Sequence, residues 1–432
     1  MSTEKARVGS AADSPTASMT LGQYAIVGLC MFLNMTDGFD LFLIGFALPH
    51  LPQGFATESE KGFIISLALV GMAIGAIFLA RLADRIGRRA TVLCGLLTNI
   101  VGLAVSALAV NEYMLMTGRF ITGMGVGVVS VVIVVIAQEA TPADRQNTAT
   151  GIVMIGFPLG STIAGFGGAA ALALTGNVWQ SLFWLGAALS LIGLVVAYFW
   201  LPESAAFKAR IAGGAAPGTA EAASVDTPVE PAERLGLLSR PLWAITVLLA
   251  LGYGMLSAAY YFVGTWTPQL VTDLTNDQSA GATAGIVVSV GTFAGTILFA
   301  LIGLKVSSVR LTTVLLVLGV ASVIGFSVLL PSAGANVFAG LLGLAVFGSM
   351  SGYTAMVPKL YPVLARARGY GMMLGVGRAG AIISPVLVGF AATRVDTGVI
   401  YLLAIIPVGF ALLASVTLLV RSARVRRESS VV

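Results

Sequence analysis

Arg81-Leu82-Ala83-Asp84-Arg85-Ile86-Gly87-Arg88-Arg89 is a short turn with four arginines, and it joins two long apolar runs, 62–80 and 90–110. Each run is long enough to cross a hydrocarbon layer of ~30 Å at about 1.5 Å per residue. A basic turn between two such runs marks a chain laced through a membrane. Outward from it the same alternation fills the sequence. Apolar spans are expected at 22–47, 62–80, 90–110, 113–138, 147–173, 178–201, 241–267, 281–303, 311–330, 336–358, 369–392 and 397–420. Composition agrees: 57% of residues are hydrophobic, only 10% are charged, and the mean hydropathy is +0.95. A soluble chain would need a charged shell of about a quarter of its residues, so lipid must cover this one.

Twelve spans put both termini on one side, and charge says which. The segments on the side of the tails carry 20 of the 24 Lys and Arg residues; the opposite loops carry two, Lys61 and Arg394. That bias predicts cytoplasmic termini in a cell inner or plasma membrane. It also explains the net charge of +5 without nucleic acid. The organisation expected is a tail at 1–21, a six-helix bundle at 22–201, a linker at 202–240, a second bundle at 241–420 and a tail at 421–432. The 1–21 segment is too polar for a signal peptide, and 202–240 is rich in Ala, Gly, Pro and acids, as a flexible linker would be. At a fixed offset of 220 residues Gly123 matches Gly343, Pro142 matches Pro362, Gly151 matches Gly371 and Gly160 matches Gly380. Two parallel six-helix repeats follow, with a substrate site between them near the midplane.

Several chemistries are disfavoured. His50 is the single histidine, and Cys30 and Cys94 lie in apolar runs, so neither a zinc site, a histidine-ligated haem nor a disulfide framework is expected. No nucleophile–base pair or phosphate loop stands out, so neither enzymatic activity nor a cofactor is expected. The partners expected are lipid, a small molecule and protons, and the chain is expected to be a monomer.

The sharpest chemical signal is Asn34-Met35-Thr36-Asp37-Gly38-Phe39-Asp40 in the first span. Spacing by three puts both carboxylates on one helical face. Ionised together they would repel each other and be poorly solvated, which suits a pair that loads and unloads a proton. A helix-end cap fits poorly, because apolar sequence continues on both sides. Two cations, Arg119 and Arg378, also fall inside spans, where a guanidinium is expensive unless it is paired or faces water. Arg119 stands near one end of its span, so snorkelling to the interface is its alternative, and an anion-facing cation is the reading preferred. Arg378 could hold a substrate carboxylate bidentately. Tyr260 and Tyr261, with Phe262 and Trp266, offer aromatic faces for a ring. Belt aromatics at the membrane surface are the alternative, above all for Trp266, and His50 reads as interfacial.

The 81–89 turn and the twelve spans resemble the major facilitator superfamily, whose signature loop is G-x-x-x-D-R-x-G-R-R; Ala80 stands in place of its first Gly. Gly118-Arg119 through Gly127, then Glu139 and Arg145, look like the fourth helix of that superfamily. The resemblance implies that Asp84, Arg85, Arg88, Glu139 and Arg145 form a charge latch on the cytoplasmic side. In the second half Lys359-Leu360-Tyr361-Pro362 and Arg366 follow the pattern E-L-Y-P-x-x-x-R with Lys in place of Glu, and the second signature loop has degenerated to Lys305–Arg310. Asp37-Gly38-Phe39-Asp40, with Gly375-Val376-Gly377-Arg378-Ala379-Gly380 and Pro385, resembles the aromatic acid:proton symporter family of the superfamily. That resemblance implies proton-coupled import of a benzoate or hydroxybenzoate by alternating access. Asp37 and Asp40 would be the coupling pair and Arg378, Arg119, Tyr260 and Tyr261 the substrate contacts. A proton-coupled exporter of drugs is the alternative within the same fold, and a non-transporting membrane sensor is a remote one.

Overall fold

The computed structural model describes residues 19–204, 207, 208, 237, 239 and 242–428; side chains of 363, 364, 367 and 422–428 are outside the description. The tail up to residue 18 and almost all of the expected 202–240 linker therefore lie outside the described residues. Among those described, the chain is helical throughout and twelve helices are long and apolar enough to span a membrane. They are α1 (Leu21–Ala47), α2 (Glu58–Ile74, extended by a π turn at Gly75–Leu79), α3 (Arg88–Ala107), α4 (Glu112–Glu139), α5 (Gln146–Thr175) and α6 (Gln180–Trp200). The second set is α7 (Trp243–Thr275), α8 (Gln278–Ile302), α9 (Ser308–Leu329), α10 (Ala335–Leu360), α11 (Val363–Ala392) and α12 (Thr397–Leu403 continued as Ile405–Glu428).

Local signals set several ends. Thr20 with Gln23, and Thr57 with Glu60, form capping boxes that satisfy the first amides of α1 and α2. Gly176 in the left-handed region closes α5. α7 runs eight residues beyond the expected end at 267. Hydropathy falls there because Gln269, Thr272 and Asp273 are polar, yet Gln269 Nε2 bonds Asp273 Oδ1 at 2.8 Å along the same helix and the backbone ladder continues. Trp266 is in consequence an interior residue, wholly buried, and the belt alternative for it is corrected.

The repeat is visible in which backbones touch. A Cβ at Gly123 would lie 1.9 Å from the Ala68 carbonyl oxygen, and one at Gly343 would lie 2.1 Å from that of Val288. Gly71 meets Phe120 as Gly291 meets Gly340, and Gly75 meets Met124 as Gly295 meets Leu344. Both members of each contact are offset by 220 residues. Only glycine lets the α2/α4 and α8/α10 backbones approach so closely.

The first six helices meet the last six through α2 with α11, α5 with α8 and α1 with α7. Ser66 Oγ donates to Ile382 O at 2.7 Å, Thr162 Oγ1 to Ser289 O at 3.0 Å and Gln278 Nε2 to Pro49 O at 3.0 Å. These bonds lie on the side away from the tails, hereafter the far side. On α11 the residues facing α2 recur at helical spacing: Gly371, Gly375, Arg378, Ile382, Pro385 and Gly389. A Cβ at Gly389 would meet Glu58 O at 2.6 Å, whereas at Gly375 and Gly371 it would meet nothing within 4 Å. Gly151, on the face of α5 that carries Thr162, likewise meets nothing. The halves are closed on the far side and parted on the tail side.

Candidate functional site

Asp37 and Asp40 are fully buried in α1, well away from its ends. Asp40 points into the first six-helix group. Asn99 Nδ2 on α3 donates to its Oδ2 at 2.5 Å, and Ser190 Oγ on α6 donates to the same oxygen at 3.3 Å. Its other oxygen faces Gly186, where a Cβ would stand 2.9 Å away. Arg119 of α4 is also fully buried, and its charge and that of Asp40 act on each other. The snorkelling alternative falls away for Arg119: the guanidinium turns into the protein, toward the Asp40 carboxylate. Neither oxygen of Asp37 and none of the three guanidinium nitrogens of Arg119 has a hydrogen-bond partner among the described residues. Two carboxyl groups thus stand one turn apart inside an apolar span, one of them held by two donors and the other by none among the described residues.

A second group sits between the halves. Arg378, half-buried on α11, donates from Nη1 to the Met72 thioether at 2.6 Å across to α2. Thioether sulfur is a weak acceptor. Among the described residues the salt bridges are Lys61–Glu58 and Arg88–Glu139, so no carboxylate is paired with Arg378. Tyr253 and Tyr261 on α7 are close enough to feel its charge. Tyr260 and Tyr261 are buried and belong to a ring cluster that crosses the interface. Phe42 of α1 stacks with Tyr261 (centroids 6.0 Å apart, planes 17°), and it tilts against Tyr260 at 5.3 Å and meets Phe157 edge-on at 6.0 Å. Tyr260 reaches Phe347 of α10 at 4.9 Å, and its buried hydroxyl has no partner among the described residues. The structure thus gathers Arg378, Tyr260 and Tyr261 together, and sets Arg119 with Asp40 instead.

The basic turn folds as expected of a compact junction. Gly87 has φ 97°, a left-handed value that other residues avoid, and it turns the chain into α3. Arg88 forms an ion pair with Glu139 at the end of α4, and Ser204 Oγ donates to Glu139 Oε2 at 2.7 Å. Glu203, just past α6, accepts from the backbone amides of Arg88 at 2.8 Å and Arg89 at 3.3 Å. It caps α3 from a distant part of the chain and sits favourably at the positive end of the helix dipole. Arg89 also donates to the Tyr198 carbonyl. Asp84 and Arg85 lie on the exposed helical turn Ala83–Ile86, and Arg145 on the short turn before α5. In the second half Lys359 Nζ donates to Ser308 Oγ at 2.9 Å. Ser308 and Lys359 are the residues offset by 220 from Arg88 and Glu139, so the contact persists with other chemistry.

The family model described as Major Facilitator Superfamily matches residues 30–355, three quarters of the chain. The chain belongs to the Major Facilitator Superfamily. It is 30% identical over 387 residues to the 4-hydroxybenzoate transporter PcaK of Pseudomonas putida, covering 84% of each chain. It is 28% identical over 369 residues to the 3-(3-hydroxy-phenyl)propionate transporter of Escherichia coli, covering 84% of this chain and 85% of that one. In fold it is similar to the inward-open xylose transporter XylE from E. coli, with a TM-score of 0.69 at 17% identity over 91% of this chain and 95% of the other. Like other superfamily members it is a multi-pass membrane transporter rather than an enzyme.

For this superfamily transporter, several contacts have no obvious mark in the sequence. Asn99 and Ser190 hold Asp40, yet an amide and a hydroxyl in an apolar helix look like packing residues. Glu203 left a faint signal, an acid in Pro202-Glu203-Ser204 beside a basic side of the membrane. Phe42 and Phe347 are two of 21 phenylalanines, and only the fold selects them.

Proposed function

We propose that the chain imports a single-ring aromatic carboxylate together with protons, from the inner membrane with both termini in the cytoplasm. The two halves, 22–201 and 241–420, rock about a site between them. The observation that carries this is Arg378: a guanidinium at mid-depth, facing the interface, offered only a thioether among the described residues, and bordered by tyrosines. A carboxylate is the ligand such a fork fits best, and Tyr260, Tyr261 and Phe347 supply ring faces beside it. The curated relatives that carry phenolic acids support an aromatic cargo, for which the unpartnered Tyr260 hydroxyl is a suitable hydrogen-bond partner.

Coupling is assigned to Asp37 and Asp40. From the far side they take up protons. Neutral Asp40 then pulls less on Arg119, and the grip of α1 on α3, α4 and α6 is loosened while the anion binds at Arg378. The loaded halves close over the cargo and reopen on the tail side, where Asp40 releases its proton and is held again by Asn99, Ser190 and Arg119. Arg378 and Arg119, cations inside the helical bundle, suit an anionic substrate better than the amphipathic cations that many drug exporters carry.

The test is uptake in proteoliposomes under an imposed pH gradient, with 4-hydroxybenzoate as probe. Asp37→Asn should insert normally and abolish accumulation against a gradient. Undiminished proton-driven accumulation by Asp37→Asn would overturn the assignment.

A further inference from the structure

Phe42 stands two residues beyond Asp40 on α1, on the far-side flank of the ring cluster, and it is 1% exposed. It is the aromatic side chain that the first half presents to both Tyr260 and Tyr261. Its seat is a notch: a Cβ at Gly264 of α7 would lie 2.2 Å from Phe42 Cε1 and 3.0 Å from Cδ1. One turn on, Gly45 lets α1 approach the Thr265 carbonyl, where a Cβ would stand 2.8 Å away. Two glycines, one on each helix, thus bring α1 against α7 where the ring sits. Beyond this contact, toward the far side, lies a cavity of about 900 Å³ lined by His50, Asn177, Thr272, Asp273 and Gln278 among others. Toward the tail side the stripe of α11 at Gly375 and Gly371 faces open space.

We propose that Phe42 is the movable wall of the ring site, seated in the Gly264 notch while the far side is closed, and that its bulk sets the size of ring the site admits. The proposal rests on the aromatic cargo proposed above. A ring arriving from the far-side cavity meets Tyr260 and Tyr261 covered by the ring of Phe42. It reaches them when α1 swings from α7 and draws Phe42 out of the notch. Afterwards Phe42 returns behind the cargo and gives it a stacking face. Because Asp37 and Asp40 share this helix, the segment that loads protons is the segment that carries the wall. A two-ring acid would need the volume that Phe42 occupies.

Two measurements test it in a Cys94→Ser background that carries Gly375→Cys, a position where an added side chain meets nothing. The first is labelling by a membrane-impermeant thiol reagent from either face of oriented vesicles. Labelling from the tail side should be high in every variant and serves as the check on folding. Labelling from the far side should be low with the wall intact and rise roughly tenfold in Phe42→Ala and in Gly264→Ala, which keeps the ring but fills its seat. The second is uptake of benzoate against 2-naphthoate. Phe42→Ala should shift the ratio of initial rates toward 2-naphthoate by about tenfold. A residue with only a packing role would lower both rates together. Unchanged far-side labelling in both variants, or an unchanged ratio, overturns the proposal. Failure of unmodified protein to take up either acid would instead sink the aromatic cargo, and the labelling would still decide whether Phe42 is a wall.

Discussion

Arg378 holds its charge at mid-depth against a sulfur atom, and that choice of neighbour has a measurable consequence. A guanidinium offers a planar fork of donors, whereas an ammonium offers a compact point charge on a flexible stem. Arg378→Lys keeps the cation and loses the bidentate geometry, so substrate affinity should fall roughly tenfold, about 1.4 kcal/mol. Isothermal titration or a thermal-shift series with 4-hydroxybenzoate reads this directly. Arg378 and Asp40 were legible in the sequence for one reason: a full charge inside an apolar span is costly and must be answered by something. What answers it was not legible. The amide that grips Asp40 comes from 59 residues away and the hydroxyl from 150 residues away, and an uncharged polar side chain in a helix costs too little to stand out. Arg119 shows the other side of the same limit. Its position along the span left the membrane surface open as an alternative, while the charge of Asp40 on another helix goes with its turning inward.

At the scale of elements, α3 begins under tension between a glycine that must hold φ 97° and an acid that reaches back from beyond α6. A Cβ at Gly87 would come within 2.5 Å of Glu203 Oε2, so the turn is shaped around that carboxylate. Removing it in Glu203→Ala leaves the first amides of α3 uncapped and should cost about 0.5–2 kcal/mol, visible as a lower unfolding temperature in detergent. Glu203→Gln should lose less, since an amide oxygen can still accept. The bounds of most helices followed from where apolar runs stop, because lipid and helix share those limits. α7 departed from this rule: its last eight residues mix Gln269, Thr272 and Asp273 with apolar ones, Thr272 and Asp273 border the far-side cavity, and hydropathy has no way to see a helix that continues past its apolar run.

On the scale of the whole molecule, the repeat is a matter of backbone contact, kept at glycines that face one another with the same offset in both halves. Side-chain chemistry has drifted around that frame. The pair Arg88 and Glu139 is answered in the second half by Ser308 and Lys359, joined by a neutral-to-cation hydrogen bond. The wedge that the two halves form is sealed on the far side by packed glycines, carbonyl contacts and aromatic rings. A carrier built this way has a task after each delivery: it must break those contacts unaided before it can collect again. Cargo supplied on the tail side would share that work, because a loaded site can turn around by the route it came. Radiolabelled acid outside vesicles preloaded with the unlabelled acid should therefore enter several-fold faster than into empty vesicles, a trans-stimulation measurable as an initial rate, and the empty return would be the step that limits feeding on a scarce compound.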